Sequence, residues 1–195
     1  MKISKDYITT SETMALLPYL NQYGEEWSFA LEVNRTLLIQ KKSKAILNDS
    51  CKFFGSSYEG RIDGTRAIMN RGKMYPIAIS VPLDMYMFPL SSPERYTCVW
   101  LSYVHIFEIE AHGPHQAKIT FVNGQKIIVN KNKSLVDLKK YKTGELRYQL
   151  QIRSQLEIAE PVTTYQVQHE TDLWDLIIDE KRRTYVKMRR IIQTN

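Results

Sequence analysis

The chain has 195 residues, 43% hydrophobic and 25% charged, which suits one folded domain or a domain with a small extension and argues against wholesale disorder. Met1-Lys2-Ile3-Ser4-Lys5-Asp6 leads into polar sequence, and no apolar run approaches a membrane span, so neither a secretory leader nor a membrane anchor is expected. The net charge of +6 says less than its layout, and two distant cysteines, Cys51 and Cys98, read as free thiols of a reducing cytoplasm.

From the N-terminus, Tyr7 to Tyr23 carries Met14, Leu16, Leu17 and Leu20 in a polar setting, as a short strand or packed arm would. Leu37-Leu38-Ile39 reads as a strand, followed by Lys41, Lys42 and Lys44. A helix is expected from about Ser43 to Tyr58, because Leu47, Cys51, Phe54 and Tyr58 recur at helical spacing. Gly55, Gly60 and Gly64 then punctuate the pattern. The stretch Cys51 to Arg61 therefore has two readings. It is an amphipathic helix running into a loop, or a glycine-loosened basic edge that meets phosphates through backbone N–H groups and Arg61. Arg61 to Lys73 reads as a basic connection, since Gly64 and Gly72 argue against one continuous helix.

Tyr75 to Val81 and Met85 to Phe88 are extended, with Pro82 and Pro89 confining them to sheet edges or strand ends. Val99 to Glu110 has strand composition, and Ala117 to Val122 alternates. Asn123-Gly124 is a type I′ turn signal, and Lys126 to Val129 returns, which predicts a three-stranded antiparallel meander. Ser134 to about Ile152 reads as helix, with Leu135, Leu138, Tyr141 and Leu146 on one side and Lys139, Lys140 and Lys142 on another. After Pro161, Thr171 is expected to cap a final amphipathic helix reaching about Ile192, its acidic residues early and its cations late. Mixed strands and helices without βαβ alternation predict an α+β fold.

Enzyme and metal signatures fail. Gly55 and Gly60 have P-loop spacing, but Arg61-Ile62 stands where Lys-Ser/Thr is required. Ser57 lacks the following glycine of a nucleophile elbow. His112 and His115 flank a turn without a second ligand pair. No catalytic residue, metal or cofactor is expected. The charges instead fall in blocks. Residues 41–76 carry eight basic and three acidic side chains, and 118–153 carry nine and two. Residues 154–180 carry seven acidic and no basic ones, and 181–190 six basic and no acidic. Aromatic residues interleave the first two blocks, a composition that suits nucleic acid, although RNP, zinc-finger and bZIP patterns are missing.

Cys51-Lys52-Phe53-Phe54-Gly55-Ser56-Ser57-Tyr58, with Gly60-Arg61 and Gly64-Thr65, resembles the signature of the ComK family, the competence transcription factors of Bacillus and its relatives. Pro76-Ile77, Phe88-Pro89 with Ser91-Ser92, Trp100-Leu101-Ser102 with His105, and Asn123-Gly124 follow in the family's order, so the resemblance covers about residues 37 to 150. It implies a cytoplasmic activator of DNA-uptake genes that binds AT-rich promoter boxes in double-stranded DNA, largely through the minor groove. It also implies assembly into dimers and tetramers, contact with RNA polymerase, and control by an adaptor of a Clp protease. Narrow AT-rich minor grooves favour inserted arginine. On that basis Arg61, Arg66 and Arg71 are candidates for insertion, and Lys52 and Lys73 for phosphate contact. Residues 1–155 are expected to form the DNA-binding domain, and residues 156–195 an extension for activation or partner binding. The alternatives are a protein-interaction module or a general minor-groove architectural protein without an activator role.

Overall fold

The computed structural model describes residues 2–69, 72–159, 174–179 and 184–189. The chain divides into two compact units, Met1–Leu156 and Glu157–Asn195. The first contains ten strands: β1 (Lys2–Ser4), β2 (Thr13–Leu20), β3 (Glu26–Glu32), β4 (Thr36–Ile39), β5 (Ile77–Ser80), β6 (Met85–Pro89), β7 (Trp100–Ser102), β8 (Ile106–Ala111), β9 (Ala117–Phe121) and β10 (Lys126–Val129). Helices α1 (Ser43–Phe53) and α2 (Tyr58–Met69) lie between β4 and β5 in sequence, and α3 (Lys133–Ala159) follows β10. The α+β expectation holds.

The larger sheet has seven strands in the order β1-β4-β3-β2-β7-β6-β5, antiparallel except for the β1–β4 pair at one edge. Its two faces have different partners. On one, Leu16, Ala30, Ile39, Ile77, Ile79 and Trp100 pack with Ile46, Leu47 and Cys51 of α1 and Tyr58 and Ile62 of α2. On the other, Met14, Ala15, Leu31, Phe88 and Leu101 meet Ile109, Ile119, Phe121 and Val129 of the smaller sheet and Val136 of α3. That smaller sheet is the expected meander, ordered β10-β9-β8, with Ile127 opposite Ile119 and Ile109 opposite Ile119 from the other side. A third cluster joins Ala78 and Tyr86 to Leu146 and Leu150 of α3 and to Ile68 and Met69 at the end of α2. The end of α2 and the middle of α3 thus share one packing site.

Several expectations are corrected. Arg61 to Lys73 is not a loop up to Lys73: α2 runs unbroken through Gly60 and Gly64 to Met69. Each interior glycine costs a helix only ~1 kcal/mol. Burial of Tyr58, Ile62 and Thr65 on one face outweighs that. Val99 to Glu110 is two strands in different sheets, β7 and β8, separated at Tyr103 to His105. Strand β3 went unpredicted beside the charged Glu25-Glu26, although Ser28, Ala30, Leu31 and Glu32 are buried. The face of α3 turned inward is Val136, Lys139, Thr143 and Leu146, while Leu138 and Tyr141 are exposed.

In the second unit, β11 (Trp174–Asp179) pairs antiparallel with β12 (Thr184–Arg189), Ile177 opposite Val186. The final helix expected over 171–192 is therefore wrong in its described part. Trp174, Leu176 and Ile178 alternate with Asp175 and Asp179 at period two, which suits strand as well as helix. β-Branched Ile177, Ile178, Thr184 and Val186 tip the balance toward strand.

Candidate nucleic-acid interface

The signature stretch is built as a joint between two helices. Helix α1 ends at Phe54, and Gly55 takes φ +76°, a left-handed conformation that glycine adopts without a steric penalty. The Gly55 N–H donates to the Lys52 carbonyl at 3.0 Å and the Ser56 N–H to the Cys51 carbonyl at 2.9 Å, the paired bonds of a Schellman cap. Helix α2 is then capped by Ser57, whose hydroxyl accepts the Gly60 N–H at 3.0 Å. A Cβ at residue 60 would lie 3.2 Å from that hydroxyl, so the absence of a side chain lets the cap close. These N–H groups are consumed by capping, so the phosphate cradle considered from the sequence is not what this loop forms.

The candidate side chains have different environments. Lys52 is exposed in the last turn of α1. Arg61 is half-buried and turned inward, its Nη2 donating to the Phe54 carbonyl at 3.3 Å across the joint. Arg66 is exposed in the last turn of α2; it pairs with Asp63 at 2.7 Å and lies 5.9 Å from the centroid of the Tyr75 ring. Lys73 is exposed. Arg71 lies outside the described residues.

Sequence reasoning missed the residue that joins these groups to the second basic block. Lys139 of α3 is only 8% exposed, and its Nζ donates to the carbonyls of Met74 at 2.9 Å and Lys73 at 3.4 Å. Burial, and the charge of Lys142 one turn on, push its ammonium below the usual lysine range. The available signal was periodicity: Lys139 falls on the Val136–Thr143–Leu146 stripe, where hydropathy alone would not place a lysine. Arg66, Tyr75, Lys73 and Lys139 are thus linked in one region of the first unit. Lys52, at the end of α1, makes no ion pair among the described residues.

Four other cations of the second block are committed elsewhere. Lys140 donates to the Ile106 carbonyl at 3.0 Å, Lys118 pairs with Glu110 at 2.7 Å, and Lys133 with Asp137 at 2.7 Å. Arg147 grips Asp84 with two bonds of 2.6 and 2.9 Å and holds α3 to the β5–β6 turn. Among the described residues, no three His, Cys, Asp or Glu side chains gather as a metal site, and no helix is long and apolar enough to cross a membrane.

The model of the ComK protein family matches residues 4–155. The chain is also similar to the competence transcription factor of Bacillus subtilis (strain 168), 30% identical over 149 residues that cover 76% of this chain and 77% of that protein. No solved structure matches the chain significantly. The motifs, the matched span and the identity agree, and the chain belongs to the ComK family of competence transcription factors.

Proposed function

We propose that the chain is a DNA-binding activator of DNA-uptake genes that holds AT-rich promoter DNA largely through the minor groove. The interface we assign to it is the face where the end of α2, the connection 72–75 and α3 meet. The observation that carries this reading is the pair of hydrogen bonds from Lys139 to the Lys73 and Met74 carbonyls, which link the basic blocks 41–76 and 118–153. Part of each block is committed internally. Lys41, Lys42 and Lys44 pair with Asp49, Glu26 and Glu94, and Lys118, Lys133, Lys140 and Arg147 are engaged as described.

In this reading Arg66 is the groove-inserting side chain, because it is exposed and its Asp63 partner is solvent-accessible and can be exchanged for phosphate. Lys73 and Lys52 hold phosphates. Arg71 belongs to the same group by sequence. Arg61 contributes by closing the joint that sets the direction of α2. The family resemblance supports a cytoplasmic protein that forms dimers and tetramers, engages RNA polymerase and is delivered by an adaptor to a Clp protease. We assign partner contact to residues 156–195, whose acidic and basic blocks differ in character from the rest of the chain. A chain ending at Glu160 is expected to bind DNA without activating transcription.

The test is a mobility-shift titration against AT-rich and GC-rich duplexes at several salt concentrations. Log affinity should fall linearly with log salt, by roughly 0.9 per phosphate contact. Preference for the AT-rich duplex should persist at high salt. Salt-indifferent binding would overturn the electrostatic interface, and equal binding to both duplexes would reduce the protein to an architectural binder. The exposed Leu138, Tyr141 and Tyr148 of α3 favour a second reading, a protein-interaction module, which no detectable DNA binding would select.

A further inference from the structure

We propose that Lys139 is a positioning residue for the DNA interface, locking the connection 72–75 against α3 so that Lys73 and Arg66 face the same groove. The inference rests on the DNA-binding reading given above. Lysine is seldom buried without a carboxylate, and among the described residues none pairs with Lys139. Its place on the inward stripe of α3, between Val136 and Thr143, would accept an apolar side chain with less desolvation. What the ammonium provides there is two carbonyl contacts to a segment more than sixty residues away in sequence.

That segment needs a clamp. Met74 has φ +56°, a left-handed conformation that a non-glycine residue holds only when its surroundings enforce it. Its carbonyl is the nearer acceptor of the Lys139 ammonium. The next residue, Tyr75, packs against the core shared by α1 and α2 and lies under the Arg66 guanidinium. Lys73, on the other side of Met74, carries the second acceptor carbonyl and an exposed ammonium. Releasing Lys139 would free the left-handed turn, and the displacement would reach both neighbours. Lys139 is buried beneath the contacts and touches no phosphate itself.

The experiment uses the full chain and an AT-rich duplex, with Lys139→Met, which keeps the stem and removes the ammonium, and Lys139→Arg, which restores a donor. Lys139→Met should unfold cooperatively, lose at least ~10-fold in affinity at low salt, and show a salt slope flatter by more than the roughly 0.9 of a single phosphate contact. Adding Lys73→Ala and Arg66→Ala to it should cost little more, since the contacts they remove are already misplaced. Lys139→Arg should recover most of the slope. Amide exchange of residues 73–75 should quicken in Lys139→Met while that of β8–β10 is unchanged. Unaltered affinity, a slope lowered by one contact or less, or full additivity with the Lys73 and Arg66 variants would overturn the proposal. If Lys139→Met does not fold, Lys139→Gln takes its place with the same outcomes. A wild-type chain that binds no DNA refutes the interface, whereas unchanged exchange at 73–75 refutes the lock independently.

Discussion

Replacing Lys52, Arg66 and Lys73 together with alanine should abolish much of the electrostatic binding while leaving the fold nearly intact. Arg66 gives up an ion pair to Asp63 whose partners are 58% and 66% exposed, and a position over the Tyr75 ring. Exposed pairs contribute about 0–1 kcal/mol and exposed cation–π contacts about 0.5–1 kcal/mol. Lys52 and Lys73 are exposed and make no ion pair among the described residues. The summed loss is at most about 2 kcal/mol, a few degrees in Tm for a chain of this size. If each side chain neutralises one phosphate, the slope of log affinity against log salt becomes shallower by roughly 2.7. Between 50 and 200 mM salt the wild type should then lose about 40-fold more affinity than the variant. Titration by anisotropy and a thermal melt measure the two quantities. An unchanged slope would place the interface elsewhere, and a fall in Tm beyond about 10 °C would make these side chains structural.

Arg61→Ala should behave in the opposite way, costing about 1 kcal/mol through loss of its bond to the Phe54 carbonyl while changing the salt slope little; a slope loss equal to that of Arg66→Ala would return Arg61 to the DNA contacts. His105 is buried with Nδ1 2.8 Å from the Ser102 hydroxyl, and burial holds its pKa below the ordinary 6.5. The unfolded chain binds this proton first, so its contribution is complete above pH 6.5 and is lost as pH falls through the depressed native value. His105→Gln should flatten stability between pH 7 and 5, and an unchanged profile would assign the acid sensitivity to other groups. Burial pushes the Cys51 thiol up to about 11, against a small opposing pull from Arg61, and raises Cys98 as well. Both should alkylate slowly in the native protein at pH 8 and rapidly in urea; one fast equivalent under native conditions would contradict the packing.

Local signals were legible where one short-range rule dominates. Asn123-Gly124 has its hairpin, with Ile119 paired to Ile127 across it, although the expected type I′ turn is replaced by a longer loop in which Gly124 alone takes positive φ. The face of α1 was legible because Leu47 and Cys51 bury at helical spacing. Long-range packing decided the cases that were not. Helix α2 survives two glycines through Tyr58 and Ile62, packed in a core whose strand residues include Trp100, more than forty positions from Tyr58. Val99 to Glu110 divides because Trp100 and Leu101 pair with β2 and β6, whereas Ile109 pairs with Ile119 in the other sheet. Lys139 was placed with Lys140 and Lys142 away from the apolar side of the helix, because its compensation consists of two carbonyls that no sequence window contains. The candidate site was legible as a set of cations but not as a geometry, since inward-turned Arg61 and exposed Arg66 look alike in sequence.

The density of recognisable residues between Cys51 and Arg61 therefore reflects scaffold demands more than ligand contact. Cys51 and Tyr58 enter the core, where the Tyr58 ring meets Trp100 edge-on at 6.2 Å. Phe54 packs on the same core, Gly55 closes α1, Ser57 caps α2, Gly60 admits that cap, and Arg61 ties the two helices together. Cys51, Phe54, Ser57, Tyr58 and Arg61 are consumed in fixing the direction in which α2 leaves α1, while Lys52 and Phe53 stay exposed. The proposed interface depends on that direction, because Arg66 and Met69 lie at the end of α2 and the Met74 carbonyl beyond it accepts from Lys139 of α3. A mutation in the joint should lower DNA affinity only as far as it tilts α2. The cations beyond the joint should lower affinity with the fold unmoved. Phe54→Ala and Arg66→Ala compared at equal loss of DNA affinity would thus differ in unfolding free energy, and equal stabilities would refute this division of labour.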